Sequence, residues 1–454
     1  MSFADRDEAE AFLTRYPEVK LIELYLIDLN GVPRGKWLRR EELPALYDTG
    51  RAVPHSLLAT DIHGVDVPGT GLLWETGDAD GWIRPLAGSL QPMPWHPAPA
   101  AQVQATFDPA SPPGAAAEPR RVLETIERRL RDEGHHPVMA AELEFYLLAA
   151  GRGPRGRPRP AAPPGGETPH AAQVYGLEPL AAFAGFFNDL YRACETLQLP
   201  ARTAISEAAP GQFEITLQHQ CGAVAAIDEA IRYKRLVKGL AMRHGMRASF
   251  MAKPFAGLPG NGLHLHISLA DDAGTNLFAG PAPEGSERLR HGIGGLLATM
   301  SESLALLCPH ANSYRRFQAH SYAPLAPAWG VNNRTVPLRI PAGPPASRHL
   351  EHRIAGADAN LYLAAAALLA GLHHGIHRQL DPGAPVTGDG YATDRPQLTT
   401  IWHQALADFA ASDWAAEYFN PTFRRAYSTI KAHEQSQFHA EVGEQDWRWY
   451  LDVV

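Results

Sequence analysis

The alternation of hydrophobic and polar residues near the N-terminus predicts a β-hairpin. Residues 20–29 alternate with the two-residue period of a strand, and the Asn30-Gly31 pair that follows is typical of a hairpin turn. A second strand, near residues 34–38, would return from that turn. Mixed strands and loops continue to about residue 105, so this part of the chain is predicted to be a small N-terminal domain, residues 1–105.

A helix and a buried strand are predicted after a linker. Residues 106–118 are rich in proline, alanine and glycine, and they predict a linker between two domains. Pro119 then begins a helical pattern that ends before Gly134, which is the usual placement of these residue types at helix ends. The apolar run 137–150 predicts a buried strand, and the largely apolar run 361–377 predicts a buried helix.

The predicted large domain, residues 119–454, contains a low-complexity insert. Residues 151–169 are rich in proline and glycine and predict a flexible surface loop. Glycines in this insert spell G-x-G-x-x-G directly after the predicted strand, as they do in dinucleotide-binding sites. Such a site needs a helix immediately after the glycines, with its N-terminus facing the pyrophosphate. Prolines follow here instead, so we exclude a dinucleotide site.

Composition and charge narrow the class of protein. The 454 residues are 45% hydrophobic and 20% charged, with a net charge of -8 and no basic block, which argues against a nucleic-acid or membrane-surface partner. Three cysteines (Cys194, Cys221 and Cys308) form no C-x-x-C pair, so neither a disulfide framework nor a thiolate metal site is expected. No signal peptide is recognisable, and no apolar run reaches the roughly 20 residues of a membrane span, so we expect a cytoplasmic protein.

Two pairs of glutamates are candidates for chemistry. Glu142 and Glu144 share one face of the predicted strand. Because like charges in an apolar strand repel and lose hydration, a divalent cation with oxygen ligands is the simplest compensation. The alternative is a sheet edge whose polar face is exposed to water. Glu207 and Glu214 flank a Pro-Gly turn that could bring them together, although such a pair alone is weak evidence.

Histidines add nitrogen ligands to this acidic set. His264 and His266 share a face of one predicted strand, and glycines beside them permit close approach of a ligand to the backbone. The alternative is that each histidine is a hydrogen-bonded core residue. Glu351 shares a face with Arg353 in a short predicted strand. Five acids and one histidine would suit two Mg²⁺ or Mn²⁺ ions per site.

Four arginines fall in one region of the sequence. They are Arg316, Arg334, Arg339 and Arg353, and Arg334 lies among apolar residues. Since a buried unpaired arginine is costly, we expect anionic partners, of which phosphate and carboxylate are the natural bidentate ones. The alternative is structural pairing with Asp or Glu, which we expect for one or two of the four.

The order of several short segments resembles the glutamine synthetase superfamily over nearly the whole chain. These segments are DLNGVPRGKW (28–37), ELEF (142–145), EAAPGQFEI (207–215), GNGLHLH (260–266), NSYRRF (312–317), NNRTVPLRIP (332–341) and LEHRIAGADAN (350–360). The resemblance implies an α+β fold with a small β-grasp-like N-terminal domain. It also implies a large catalytic domain, in which helices surround an antiparallel sheet. Members of the family form six-membered rings, single or stacked in pairs, with sites shared between subunits.

The resemblance also implies the metal ligands. One ion, on the acceptor side, would be held by Glu144, Glu207 and Glu214. A second ion, on the phosphates of the substrate ATP, would be held by Glu142, His264 and Glu351.

The remaining implied roles concern the substrates. Arg316 would bind the carboxylate of glutamate, with Gly260 and Glu144 beside it. The transferred phosphate would be bound by Arg334, Arg339 and Arg353. His266 and Ser268 would lie near ATP together with Arg339.

The chain departs from ammonia-using members at two positions. Those members carry a glutamate in a flap six residues after the position of Arg316, where this chain has Tyr322. They also carry an aspartate where this chain reads VPHSL (53–57). In those members the two carboxylates bind ammonium and help to remove its proton. Tyr322 is therefore only a weak candidate for the group that accepts the proton here.

Two further segments point to one branch of the family. VTGDGYATD (386–394) and EQDWRWYL (444–451) resemble the γ-glutamylpolyamine and γ-glutamylputrescine synthetase branch. We therefore expect a ligase of amine catabolism that uses ATP to join the γ-carboxylate of glutamate to an organic amine through γ-glutamyl phosphate. The amine itself stays open, from a polyamine to an alkyl or aromatic monoamine. One alternative is an ammonia-using glutamine synthetase, and another is a non-catalytic structural protein of the same fold.

Overall fold

The computed structural model of the protein describes residues 3–167 and 173–454. Two β-sheets form its framework, a six-stranded one near the N-terminus and a nine-stranded one in the rest of the described chain. In the part of the chain that the structure describes, none of the helices combines the length and the apolar character that crossing a membrane requires.

The N-terminal sheet is mixed and contains the predicted hairpin. Its strands are β1 (Leu21–Ile27), β2 (Pro33–Arg39), β3 (Arg51–Pro54), β4 (Asp80–Pro85), β5 (Gln91–Pro92) and β6 (Ala100–Phe107). They are ordered β2-β1-β6-β4-β3, with β5 beside β6, and β1 is antiparallel to β2 and parallel to β6. The hairpin turn has Gly31 at φ 74°, a conformation that favours glycine. The Asp28 carboxylate accepts hydrogen bonds there from the backbone N–H groups of Asn30 and Val32.

The large sheet is antiparallel except for one pair of strands. Its strands are β7 (His136–Ala149), β8 (Ala201–Ser206), β9 (Gln212–Leu217), β10 (Gln220–Cys221), β11 (Met246–Ser249), β12 (Leu263–Ala270), β13 (Trp329–Val331), β14 (Leu338–Ile340) and β15 (Leu350–His352). The order is β13-β14-β15-β12-β7-β9-β8, with β10 and β11 also paired to β7, and only β13 and β14 are parallel. The predicted buried strand is thus confirmed as β7, in the middle of the sheet.

The described residues also form helices that cover the large sheet and fill the rest of the fold. They are α1 (Arg6–Arg15), α2 (Leu43–Thr49), α3 (Gly114–Ala117), α4 (Pro119–Asp132), α5 (Leu177–Ala182), α6 (Ala184–Thr196), α7 (Ala223–Arg243), α8 (Glu287–Ala298), α9 (Met300–Leu307), α10 (Leu361–Arg378), α11 (Trp402–Ala411), α12 (Asp413–Tyr418), α13 (Pro421–Ala440) and α14 (Glu444–Tyr450). The predicted helices at Pro119 and at 361–377 are confirmed as α4 and α10.

The core lies between the large sheet and its helices. Helices α4 and α7 pack on β7, and α10 packs against α4, α7, α8 and α9. Leu143 and Phe145 of β7 are fully buried in this core, and α10 is buried over most of its length, as its composition predicts. The alternate positions of β7 therefore face away from these side chains, and they carry Glu142 and Glu144.

The segment 106–118 differs from the predicted linker because it is packed. It includes the end of β6 and all of α3. The Glu118 carboxylate is buried and accepts hydrogen bonds from the Thr106 hydroxyl at 2.7 Å and the Phe107 N–H at 2.8 Å. Burial raises the pKa of Glu118 to about 7. The proline, alanine and glycine content thus reflects a short packed connection, which is buried at Gly114, Ala117 and Glu118 and exposed at Pro109 and Pro112.

The predicted insert 151–169 runs partly alongside the sheet. Apart from one turn of 3-10 helix it has no helix or strand in its described part, and positions 168–169 lie outside the described residues. Backbone hydrogen bonds join Ala149 N–H to Arg159 O and Ala161 N–H to Leu147 O, both at 2.9 Å. No α-helix directly follows its glycines among the described residues, which agrees with the exclusion of a dinucleotide site.

Candidate active site

The predicted acidic side chains meet on neighbouring strands of the large sheet. In the strand register, Glu142 of β7 is opposite His264 of β12, and Glu144 is opposite Glu214 of β9. Directly opposed residues lie on the same face of a sheet, so these four side chains project to one side. Glu351 of β15 is opposite His266 on the other edge of β12. Strand pairing alone therefore places residues distant in sequence in one cluster.

The structure brings together one complete predicted ligand set. Ligand atoms of Glu142, His264 and Glu351 lie within 4.8 Å of one another. The His264 Nδ1 atom is 2.9 Å from a Glu142 oxygen and 3.8 Å from a Glu351 oxygen. All three side chains are largely buried, so the group is screened little by water.

The second predicted set is brought together in part. Ligand atoms of Glu144, Glu214 and His264 lie within 4.8 Å of one another, so His264 takes the place in this group that was predicted for Glu207. Glu207 follows β8 and is nevertheless close enough to interact. Its burial, and then the charges of Glu144 and Glu142, raise its pKa to about 7.

The pKa values of these carboxylates are shifted because the groups are buried and their charges lie close together. Burial, followed by the charges of Glu142 and Glu144, raises the pKa of Glu214 to about 11, so this group keeps its proton. Burial also opposes ionisation of Glu142, but hydrogen bonds from His264 and His266 hold its pKa well below the usual value. Burial opposes ionisation of Glu351 as well, but the charges of Arg353, His264 and His266 together lower its pKa to about 2. A divalent cation would release the Glu214 proton and balance the charge.

The donor set fits hard divalent cations. It consists of carboxylate oxygens and one imidazole nitrogen, and the described part of the cluster has no thiolate. Such oxygen-rich sets bind Mg²⁺ and Mn²⁺ rather than softer metals. The residues present therefore agree with the predicted metals.

Two of the predicted arginines share one carboxylate. Arg339 donates from Nη1 to a Glu351 oxygen at 2.6 Å, and Arg353 donates to the other oxygen of Glu351. Structural pairing with an acid, the predicted alternative, therefore holds for these two. Each arginine is buried, and its Nε–H has no partner among the described residues. A buried N–H donor without a partner is costly, so the Nε–H group of each arginine is available to donate a hydrogen bond to a bound anion.

Arg316 lies beside the acidic cluster. It ends a turn of 3-10 helix (Ser313–Arg316), is buried, and donates from Nη1 to the Ile354 carbonyl at 2.9 Å. A Cβ atom on Gly262 would lie 3.2 Å from Arg316 Nη2 and 3.3 Å from a Glu144 oxygen, and one on Gly260 would lie 2.7 Å from Arg316 Cγ. Both glycines therefore leave space beside the Arg316 side chain, and Gly262 also leaves space beside Glu144, as the glycines of GNGLH suggest.

Arg334 does not lie where its sequence context suggested. It is exposed in the loop between β13 and β14, so the prediction of a buried cation is wrong. Asn332, at φ 49°, starts the turn that takes Arg334 away from the sheet, while Val336 beyond it is buried. The apolar neighbours thus fill the core without drawing Arg334 into it.

In the described part of the chain, the hydroxyl groups of Tyr322 and Ser268 form no hydrogen bond to the acidic cluster. Tyr322 is 65% exposed, at φ 58°, in a loop that bends back on Arg316 because the Ser321 hydroxyl donates to the Arg316 carbonyl at 3.0 Å. Ser268 is on β12, two residues beyond His266, opposite Val138. Among the described residues neither hydroxyl has a hydrogen bond that places it in the acidic cluster.

Three residues of the site were missed in the sequence. The Asn332 side-chain oxygen accepts from Arg339 Nη2 at 3.0 Å, and His349 and His219 lie beside His266. His349 could have been found, since it alternates with Glu351 and Arg353 and so shares their face. His219 follows the end of β9, and a single histidine there carries no pattern.

The sequence is similar to a known family and to proteins of known activity. The family described as "Glutamine synthetase, catalytic domain" matches residues 116–450. Gamma-glutamylputrescine synthetase PuuA of Escherichia coli (strain K12) is 38% identical over 445 residues, covering 98% of this chain and 94% of that protein. Glutamate–isopropylamine ligase of a Pseudomonas species is 31% identical over 450 residues, covering 96% of each chain.

A solved structure has the same fold over the whole length. It is a GmaS/ADP complex, with a TM-score of 0.84 and 27% sequence identity, covering 97% of this chain and 99% of that one.

Metal binding at the carboxylates of Glu144 and Glu214 should stabilise the protein against unfolding. With Mn²⁺ at about 100 times its Kd, the free energy of unfolding should rise by about 2.7 kcal/mol per ion bound. In Glu144→Gln and Glu214→Gln this rise should be largely lost, while the metal-free variants should be at least as stable as the wild type because one like charge or buried acid is gone. Thermal unfolding with and without Mn²⁺ measures both quantities. Glu178→Gln, at an exposed position, is the control, and an undiminished Mn²⁺ effect in the two cluster variants would contradict the assignment.

Proposed function

Because the chain belongs to the glutamine synthetase family, we propose that it is an ATP-dependent ligase that joins the γ-carboxylate of glutamate to an organic amine. The observation that carries this proposal is the single cluster in which glutamates, His264 and the guanidinium groups of Arg316, Arg339 and Arg353 converge. Its relatives support the same class of reaction, since they act on putrescine and on isopropylamine. A non-catalytic protein would have no reason to keep so many buried acids together, because their burial and mutual repulsion are costly.

The reaction must first activate the carboxylate. A carboxylate does not react with an amine, because oxide is too poor a leaving group. Transfer of the γ-phosphoryl group of ATP to a γ-carboxylate oxygen breaks the bond to ADP and forms γ-glutamyl phosphate. The neutral amine then attacks the carbonyl carbon, phosphate leaves with its oxygen, and the amine nitrogen loses one proton.

We assign the charge-bearing residues to these steps. Two Mg²⁺ or Mn²⁺ ions would be held by Glu142, Glu144, Glu207, Glu214, His264 and Glu351. When bound, they supply positive charge for the ATP phosphates. Arg339 and Arg353 offer their unpaired Nε–H groups to the transferred phosphate. The predicted roles of Arg334 and Tyr322 stay predictions, since both are exposed in the single chain.

Nucleotide binding is assigned to the side of the sheet near His266. His266 and Ser268 lie on the same strand as His264, beyond the cluster in the direction away from Glu144. A bound nucleotide that contacts them would direct its phosphates toward Glu142 and Arg339. The ADP complex of a protein with the same fold supports a nucleotide as one ligand.

We also propose the family's architecture for the whole protein. The N-terminal sheet would be the β-grasp-like domain of residues 1–105, which is supported by the β1–β2 hairpin and the parallel pairing of β1 with β6. Its Trp37 and Trp82 are 65% and 49% exposed in the single chain. Exposed tryptophans on one domain support association into a ring of subunits, single or double.

Arg316 is expected to bind glutamate by a planar, bidentate contact. Arg316→Lys should raise the KM for glutamate at least about 10-fold, because lysine offers a point charge without the fork geometry. The KM for ATP should change much less. Steady-state phosphate release at varied glutamate checks this, with Arg315→Lys, at the exposed neighbouring position, as the control. If Arg316→Lys leaves the glutamate dependence unchanged, Arg316 has another role.

An organic amine should be a better substrate than ammonia. Ammonium is small and strongly hydrated, and the positions that hold carboxylates in ammonia users are Tyr322 and VPHSL (53–57) here. A buried methylene contributes about 0.8 kcal/mol, so kcat/KM should rise about fourfold per methylene until the pocket is full. The measurement is phosphate release with ATP, Mg²⁺ and glutamate across ammonium, alkyl, aryl and diamines.

The same panel should be run on Tyr322→Glu, which is expected to gain ammonia use relative to the wild type because it restores a carboxylate. Val174→Glu, at an exposed position elsewhere, is the charge-matched control. Ammonium as the best substrate of the wild type would overturn the amine proposal and favour a true glutamine synthetase.

A further inference from the structure

Three histidines gather beside the acidic cluster. They are His219, just after β9, His266 on β12, and His349, just before β15. Their ring centroids are 5.1 to 5.8 Å apart, and one ring nitrogen from each lies within 4.8 Å of the others. His219 is exposed, so the group opens to solvent on one side.

The outer hydrogen bonds of two of these histidines define where their protons are. The His266 Nε2 atom faces a Glu142 carboxylate oxygen at 3.2 Å, and the His349 Nδ1 atom faces the Ser347 carbonyl at 2.8 Å. An ionised carboxylate and a carbonyl only accept, so each of these nitrogens donates its proton outward. The opposite nitrogens, His266 Nδ1 and His349 Nε2, are turned toward each other.

His266 Nδ1 and His349 Nε2 are 3.2 Å apart, so one cation can join them, either a proton carried by His266 or a metal ion bound by both nitrogens. Two nitrogens bound to Zn²⁺ at about 2.0–2.1 Å with a tetrahedral angle are about 3.3 Å apart. The observed separation thus matches two ligands of one tetrahedral ion.

We propose that His219, His266 and His349 form a binding site for a transition-metal ion of the Zn²⁺ class, separate from the carboxylate-rich sites for Mg²⁺ or Mn²⁺. Three imidazoles favour Zn²⁺ over the harder Mg²⁺ and Mn²⁺. The open side by His219 leaves the fourth position to water. Glu142 accepts from the far nitrogen of His266, which is the usual carboxylate support of a metal-bound histidine.

His219 can bind a metal ion without first losing a proton. Partial desolvation by the surrounding protein, and then the neighbouring His349 and His266, lower the pKa of His219 to about 4 although part of its ring is exposed. His219 is therefore neutral near pH 7 and offers a lone pair to the ion.

Zinc titration of the full-length, chelator-stripped protein tests this site. Isothermal titration calorimetry in excess Mg²⁺ should show one more bound Zn²⁺ per chain for the wild type than for His349→Gln or His219→Gln. Zn²⁺ that enters the carboxylate sites is counted equally in all proteins, so the difference isolates the histidine site. His439→Gln, at an exposed position on α13, should behave as the wild type, and circular dichroism verifies that the variants are folded.

The visible absorption of bound Co²⁺ tests the same histidine site independently of the stoichiometry. Co²⁺ added to the wild type should give the visible absorption of a four-coordinate ion, and this absorption should be lost in His349→Gln. Equal Zn²⁺ stoichiometry in wild type and variants would overturn the proposal, and would mean that a proton on His266 relieves the contact. No ATP, glutamate or amine is present, so failure here is distinguishable from failure of the proposed function.

Discussion

The repulsion between buried glutamates around His264 is the constraint on which the rest of the site depends. Strands β7, β9, β12 and β15 place these acids on one face, where burial removes water that would otherwise screen them. In the absence of a cation the cluster reaches balance through a proton on Glu214 and through the pairing of Glu351 with two arginines. Divalent ions would replace that proton, so the site is built to gain positive charge.

The arginines depend on the same balance. Glu351 holds Arg339 and Arg353 in the site, yet each keeps an unpaired buried Nε–H. Arg316 lies beside the cluster, in space left by Gly260 and Gly262. Divalent cations held by the carboxylates would add positive charge to that of the guanidinium groups, which suits a doubly anionic phosphoryl group and a carboxylate. Transfer of phosphate between them is the chemistry that such an arrangement favours.

Local patterns in the sequence predicted individual strands and helices better than they predicted which strands pair. The apolar run 137–150 identified β7, and the fixed period of a strand placed Glu142 and Glu144 on one face. Which strands pair is a long-range property, so residue order could not show that His264 stands opposite Glu142. Arg334 was misplaced because apolar neighbours report a buried segment but not the direction of each side chain. His219 was missed because its partners are distant in sequence.

If the site activates glutamate by phosphorylating its γ-carboxylate, an oxygen atom of that carboxylate must pass to the released phosphate, and isotope transfer detects this. Glutamate labelled with ¹⁸O in the γ-carboxylate is incubated with ATP, Mg²⁺ and a reactive amine, and the phosphate released is analysed by mass spectrometry. We expect one ¹⁸O atom in each phosphate, because the oxygen that bridges carbon and phosphorus leaves with phosphorus. Phosphate without ¹⁸O, formed together with the γ-glutamyl amide, would contradict it.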